Sequence, residues 1–364
     1  MADSKHLIYY KGTDFSPWAT NSNEWPATKI ALDALAVGSA FTDTTTTFGN
    51  FVGNSKWQGG VIAPNGRIYG VPWYSTTVLK IDPTTDTATT FGSLSGIAKW
   101  YGGVLAPNGK IYCIPNYSTS ILKIDPTTDT VTTFGNFAGN DKWCGGVLSN
   151  NGCIYGIPSE STQVLKINPT TDTVTTFGST VVGYQKWAGG VLAPNGCIYA
   201  APFGMTYIDP PVGSNILRID PSTDTLTTFG STGAGVWGGG ALSSNGYMYF
   251  FHGASILKIN PDTNTFTTFS SLGTTFSYGA AAPNGMIYVL PDSATVILKI
   301  NPTTNTVTSF GALGSVLGKY SGGVLATNGS IYGIPFTGTT VLKINTTAIT
   351  TPIDFVCSRF FNKL

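Results

Sequence analysis

The chain writes nearly the same line seven times. From Gly102 it reads GGVLAPNGKIYCIPNYSTSILKIDPTTDTVTTFG, and the glycine of the central Asn-Gly recurs as Gly66, Gly109, Gly152, Gly196, Gly246, Gly285 and Gly329. The successive spacings are 43, 43, 44, 50, 39 and 44 residues. A period in the low forties, filled with short β-type runs, predicts a β-propeller with one four-stranded blade per repeat. The expected fold is all-β, a seven-bladed β-propeller. That fold leaves the function open, because propellers host many unrelated activities.

One repeat reads as one blade. Gly102 to Ala106 is a short apolar run suited to an inner strand, where glycines let backbones crowd. Pro107-Asn108-Gly109 is a tight turn that accepts positive φ. Lys110 to Ile114 is the second strand and Ser120 to Ile124 the third. After the Asp125-Pro126-Thr127-Thr128-Asp129 turn, Thr130 to Phe134 is the outer strand, rich in residues that suit an exposed pleated surface. Six outer strands follow a third strand, and a seventh copy, DTTTTFG, stands alone at residues 43–49. At the other end Val341 to Asn345 is a third strand with no standard outer strand after it. The N-terminal copy is therefore expected to complete the last blade and to remove an open sheet edge.

The organisation expected is an extension at residues 1–42, the propeller at 43–346 and an apolar tail at 347–364. Within the extension, residues 26–37 carry Ile30, Ala34 and Leu35 at helical spacing. The tail ends in Phe355, Val356, Phe360, Phe361 and Leu364, which would dock on the ring or enter a partner.

Charged residues are 10% of the chain and the formal net charge is +1, so no global field draws it to nucleic acid or an acidic membrane. The surface must be covered largely by Thr, Ser, Asn and Gly. The five cysteines, Cys113, Cys144, Cys153, Cys197 and Cys357, show no CxxC spacing, and free thiols fit a reducing compartment. The N-terminal residues do not read as a signal peptide, and no run of about 18 apolar residues spans a membrane. Synthesis in a cytoplasm is expected, with later use in a virion left open.

The Asp pairs of the PTTD-type turns invite a metal reading. Their equivalents include Asn168, Asn260, Asn264, Asn301 and Asn305, which keep the acceptor and discard the charge. A side-chain-capped turn explains that exchange better than calcium. No metal or cofactor is expected. His252 replaces a proline found in the other repeats, but no partner acid or nucleophile can be assigned to it. No zinc spacing, nucleophile elbow or phosphate loop occurs. The expectation is a chain that is not an enzyme.

Aromatic residues form the best constellation. Eight residues before each Asn-Gly asparagine stand Trp57, Trp100, Trp143, Trp187, Trp237, Phe276 and Tyr320. Lys56, Lys99, Lys142, Lys186 and Lys319 precede five of them. In a propeller this connection shares a face with the loop between second and third strands, which carries Trp73, Tyr74, Tyr117, Phe203 and Phe336. Two readings stand. Either the tryptophans wedge adjacent blades and the lysines solvate the rim, or Lys–aromatic pairs and loop aromatics form a platform for sugars or a protein. The fourth repeat is eight residues longer within 203–212, a segment that includes Tyr207 and maps to this face. The tyrosines Tyr69, Tyr112, Tyr155, Tyr199, Tyr249, Tyr288 and Tyr332 sit mid-strand and read as core.

The IDPTTDTVTTFG segments and APNGxIY turns resemble the short-repeat seven-bladed propellers of the YVTN and kelch-like groups, over about residues 43–346. The YVTN tetrad itself is absent, so the resemblance implies the fold and no site residues. Near-identical Thr-rich repeats also look like those of phage and bacterial surface propellers. The function expected is a binding or structural propeller of a virion, in a phage tail or fibre. It would meet other virion proteins through its termini and present a face to a host receptor or glycan. The alternative is a free lectin or scaffold propeller outside any virion.

Overall fold

The computed structural model describes residues 43–179, 183–204, 214–233, 235–270 and 276–346. The expected helix at 26–37, the apolar tail and most of the 203–212 insertion, Tyr207 included, lie outside the described residues. Seven four-stranded antiparallel sheets follow one another, as expected. Blade 1 comprises Trp57–Ile62, Ile68–Pro72, Val78–Asp82 and Thr87–Phe91. Blade 2 repeats it with Trp100–Leu105, Ile111–Pro115, Ile121–Asp125 and Thr130–Phe134. Blades 3 to 6 continue the series, and blade 7 closes it.

The inner strand begins two residues earlier than the glycine run suggests. Trp100 pairs with Pro115 across the sheet, and a register shift follows before Gly103 pairs with Cys113. Gly102 sits in that bulge at φ +74°, where a β-carbon would be strained. The aromatic residue is thus the first residue of the strand rather than part of a loop. Second strands such as Ile111–Pro115 are buried throughout, whereas outer strands such as Thr130–Phe134 expose their threonines.

Apolar side chains between adjacent blades hold the ring together. Trp100, Ile111 and Leu122 of blade 2 pack with Val61, Tyr69 and Val78 of blade 1 in one cluster. Trp143 enters the equivalent cluster between blades 2 and 3, and Trp187 that between blades 3 and 4. Each large apolar side chain so buried contributes about 1.5–3 kcal/mol.

Thr44–Phe48 supplies the outer strand of blade 7, pairing from Thr44 with Asn345 to Phe48 with Val341. The ring therefore has no seam. Phe48 meets Tyr332 edge-on at 6.2 Å, as Phe91 meets Tyr69 at 6.0 Å.

The PTTD-type turns do two things. The first acid caps the turn: Thr84 N–H donates to Asp82 Oδ1 at 3.0 Å, and Thr170 N–H does the same to Asn168. The second acid, at positive φ, reaches the preceding blade. Tyr69 Oη donates to Asp129 Oδ1 at 2.9 Å, and Lys80 pairs with the other oxygen. Asn65 of the Asn-Gly turn donates to Pro126 O at 2.8 Å in the same latch. Tyr112 to Asp172, Tyr155 to Asp224 and Tyr199 to Asn264 repeat it. Asp43 takes the place of the seventh acid, accepting from Tyr288 Oη at 3.0 Å and from Lys299 at 2.6 Å. The two carboxylates of a turn are thus committed to different partners, which fits the exchange of Asp for Asn.

Candidate functional site: the loop face

The two ends of the ring are chemically unlike. One carries the Asn-Gly and PTTD-type turns with their latches. The other carries the connections into each blade and the loops between second and third strands. Backbone hydrogen bonds confirm that these two kinds of loop share a face: Trp73 N–H donates to Lys56 O at 2.9 Å, and Asn116 N–H to Lys99 O at 3.0 Å.

The lysines of this face neither solvate the rim nor stand open to a ligand. Lys56, Lys99, Lys142, Lys186 and Lys319 are all buried. Lys99 Nζ donates to Trp73 O, Ser75 O and Gly96 O at 2.8–3.0 Å, tying its own entry loop to the loop of the preceding blade. Lys56 does the same across the closure, to Gly53 O, Phe336 O and Gly338 O. A long stem with three donors suits such a triad of carbonyls. Burial pushes Lys56, Lys99, Lys142 and Lys186 down to about 8.

The tryptophans are equally internal. Trp57, Trp100, Trp143, Trp187 and Trp237 are buried. The indole Nε1 of Trp57 donates to Thr77 O and that of Trp100 to Ser120 O, both at 2.7 Å. The wedge reading describes them, and direct ligand contact by these Lys–Trp pairs is not available.

What remains accessible is the layer above. Seven large apolar or aromatic side chains are exposed among the described residues: Val52, Tyr74, Ile97, Tyr117, Tyr184, Val316 and Leu317. Every one lies on a loop of this face, and none on the turn face. Trp73, Phe203 and Phe336 are half-buried beside them, Trp73 meeting Tyr74 at 6.2 Å and Tyr101 at 5.6 Å. Sequence reasoning found Tyr74 and Tyr117 and missed Tyr184, which stands in an entry loop where other repeats have Asn54, Ile97 and Asn140.

Blades 2 to 4 add a polar group that breaks the sevenfold pattern. Buried Asp141, at φ +46°, accepts from Asn116 Nδ2 at 2.7 Å and from Gln185 Nε2 at 3.3 Å. The Cys144 thiol lies 3.4 Å from the same carboxylate, and burial followed by that charge pushes the thiol well up. Burial and Asp141 push the Glu160 carboxyl up, while Lys186 pulls it down. Asn116 Oδ1 is buried without a hydrogen-bond partner, and the Ser159 hydroxyl lies against the Cys144 thiol. Such an unpaired buried acceptor costs about 1–3 kcal/mol.

At the axis, Tyr278 stands where the other repeats have glycine. It accepts from Gln58 Nε2 at 2.6 Å and shares a 2.7 Å hydroxyl contact with Tyr101, bridging the narrow central channel. His252 packs against Trp237 with ring centroids 5.7 Å apart.

Residues 68–206 match the model of DUF6923, described as a repeat of unknown function. No curated protein matches the chain by sequence. Among solved structures, a streptogramin B lyase is similar at TM-score 0.72 and 16% identity, covering 84% of this chain and 98% of that one. A catalytically inactive virginiamycin B lyase from Staphylococcus aureus, with quinupristin, gives 0.71 at 13% identity, covering 84% and 100%. The extracellular domain of the hybrid two-component system BT3049 from B. thetaiotaomicron gives 0.64 at 10% identity, covering 84% of this chain and 42% of that one. At these identities the likeness is one of fold. It nevertheless corrects the expectation that the chain is not an enzyme: the same ring carries catalysis in the lyases, so neither the fold nor the lack of a familiar motif excludes it.

Proposed function

We propose that this propeller is a binding module that engages its ligand on the loop face. The observation that carries the reading is that, among the described residues, the seven exposed large apolar side chains all gather on that one face. Exposed apolar groups concentrated on one end mark an interaction surface, whereas scattered ones need no explanation. The setting we propose is a virion, in a tail or fibre, with a host-surface receptor or glycan as ligand and with residues 1–42 and 347–364 meeting other virion proteins. Low charge, 10% of residues, and Thr-covered outer strands support a particle surface that does not adhere unspecifically.

The test is a Tyr74→Ala, Tyr117→Ala double variant assayed on host cells alongside wild type, with thermal unfolding as the folding control. Cell binding is expected to fall at least tenfold, about 1.4 kcal/mol, with melting nearly unchanged. Equal binding by the two proteins would overturn the reading.

A further inference from the structure

Tyr74, Tyr117 and Tyr184 belong to one arc rather than to three separate loops. Tyr74 and Tyr117 hold the same position in blades 1 and 2, and Glu160 holds it in blade 3. Tyr184 stands in the entry loop of blade 4, next to Gln185, which bonds Asp141. Asp141 gathers the group: its carboxylate accepts from Asn116, the neighbour of Tyr117, at 2.7 Å and from Gln185 at 3.3 Å, and its carbonyl accepts from Glu160 N–H at 3.0 Å. The Tyr117 hydroxyl is raised by burial and then by Asp141, Glu160, Tyr74 and Tyr184. The arc therefore runs across blades 1 to 4, with rings at 44%, 44% and 64% exposure and a half-buried carboxylate between them.

The chemistry of the arc is specific. Tyrosine offers a rigid flat apolar face with a polar tip, at low entropic cost. Glu160 offers two acceptor oxygens, and among the described residues no hydrogen bond or ion pair engages them. Buried Asn116, which directly precedes Tyr117, holds an unpartnered polar atom behind the arc. Lys186, whose charge partly offsets Glu160 and Asp141, is buried and donates to Ser159 O and Ser161 O, and buried Lys142 donates to Asn116 O and Gly139 O, so neither presents a donor to a ligand.

We propose that the arc of Tyr74, Tyr117, Glu160 and Tyr184 binds an uncharged oligosaccharide laid across blades 1 to 4. Sugar rings stack on the tyrosines and ring hydroxyls donate to Glu160. A glycan bearing carboxylate or sulfate meets the half-buried Glu160 carboxylate and finds no lysine donor exposed on the arc to pair with, so acidic glycans are disfavoured. A compact protein epitope has less need of a line of separated rings with a carboxylate among them. This inference rests on the loop-face reading above and narrows its ligand.

The experiment uses the full chain and two panels of linear oligosaccharides: neutral glucans, galactans and mannans, and acidic oligogalacturonates and sialylated glycans. At least one neutral series is expected to bind and to compete with host-cell binding. Tyr117→Ala and Tyr184→Ala should each weaken that binding about tenfold and Glu160→Gln about threefold to tenfold, while Thr127→Ala on the turn face leaves it unchanged. Stronger binding of the acidic panel, silence from every neutral glycan, or indifference to the tyrosine variants would overturn the inference. If cell binding still falls in the Tyr74→Ala, Tyr117→Ala variant while no neutral glycan competes, the loop face remains the site and only its ligand class is wrong.

Discussion

The two faces of this ring are built from the same repeats and have diverged in opposite ways. On the turn face nearly every position recurs. Tyr and, in most blades, Lys from one blade grip an Asp or Asn of the next while Asn grips the proline carbonyl of the same turn, and even the closure uses Asp43 to copy the pattern. On the loop face the lower layer recurs, in the buried lysines and tryptophans, while the upper layer changes at each blade. The position occupied by Trp73 is Asn116, Ser159, Phe203 and Asp292 elsewhere. Repetition in a ring marks what closes it, and variation above a repeated base marks what has been free to adapt to something outside.

The largest effect expected from attacking the repeated layer is loss of the closing strand. Deleting residues 1–49 removes Thr44–Phe48 and with it the latch through Asp43. The third strand Val341–Asn345 becomes an open edge. The product should be insoluble or lack a cooperative melt; a soluble variant melting like the parent would show that closure is not what holds the ring. Next in size is Lys99→Met, which leaves three carbonyls without their donor. Partial relief from burying a charge offsets part of the loss, so about 2–4 kcal/mol should disappear in urea unfolding.

The blades and their closure were legible because the sequence repeats them, and the orphan DTTTTFG could belong in only one place. The Lys–Trp pairs were not legible as buried. A lysine in a loop reads as a solvated rim, and what buries Lys99 is the loop around Trp73 and Ser75, contributed by the previous blade. The latch hides for the same reason, since Tyr69 and Asp129 lie 60 residues apart. A signal for it was present: a cation fills the same third-strand position seven times, as Lys80, Lys123, Lys166, Arg218, Lys258, Lys299 and Lys343. A cation retained on an otherwise apolar strand needs a partner, and the recurring Asp or Asn of the next blade supplies it for the lysines, while Arg218 turns to Cys197 and Asp220 of its own blade. The loop face was half legible. Its aromatics could be placed on one face, but which of them are exposed depends on packing that no single repeat contains.

The latches also set the acid limit. Burial opposes ionisation of Asp86 and Asp172, yet hydrogen bonds from Lys343 with Tyr332, and from Lys123 with Tyr112, hold both carboxyls below the usual carboxylate range. Hydrogen bonds from Thr84, and from Lys110 with Thr127, hold Asp82 and Asp125 low as well. The unfolded chain therefore binds more protons than the folded ring as pH falls below about 4. This stability is complete above the ordinary carboxylate range and is lost as pH falls through the lower folded values. Melting temperature measured from pH 6 to pH 2.5 should hold steady and then drop below about pH 4. An acid-insensitive melt would mean the latches contribute nothing.

The finest test sets two tyrosines five residues apart against each other. Tyr112 is fully buried, donates to Asp172 Oδ1 at 2.6 Å and accepts from Asn108 Nδ2 at 3.0 Å. Tyr117 is 44% exposed on the other face. Tyr112→Phe keeps the ring in its cluster and removes only the hydroxyl, so Asp172 retains Lys123 and loses its second donor. About 1–2 kcal/mol should go, because the partner is left short inside an interface. Tyr117→Phe removes the same hydroxyl into water and should change stability by no more than about 0.5 kcal/mol. Two equal costs would mean that the faces do not differ in the way their chemistry suggests. A small cost at Tyr117 joined to a loss of ligand binding in Tyr117→Ala is the result that separates a residue kept for the ring from one kept for a partner.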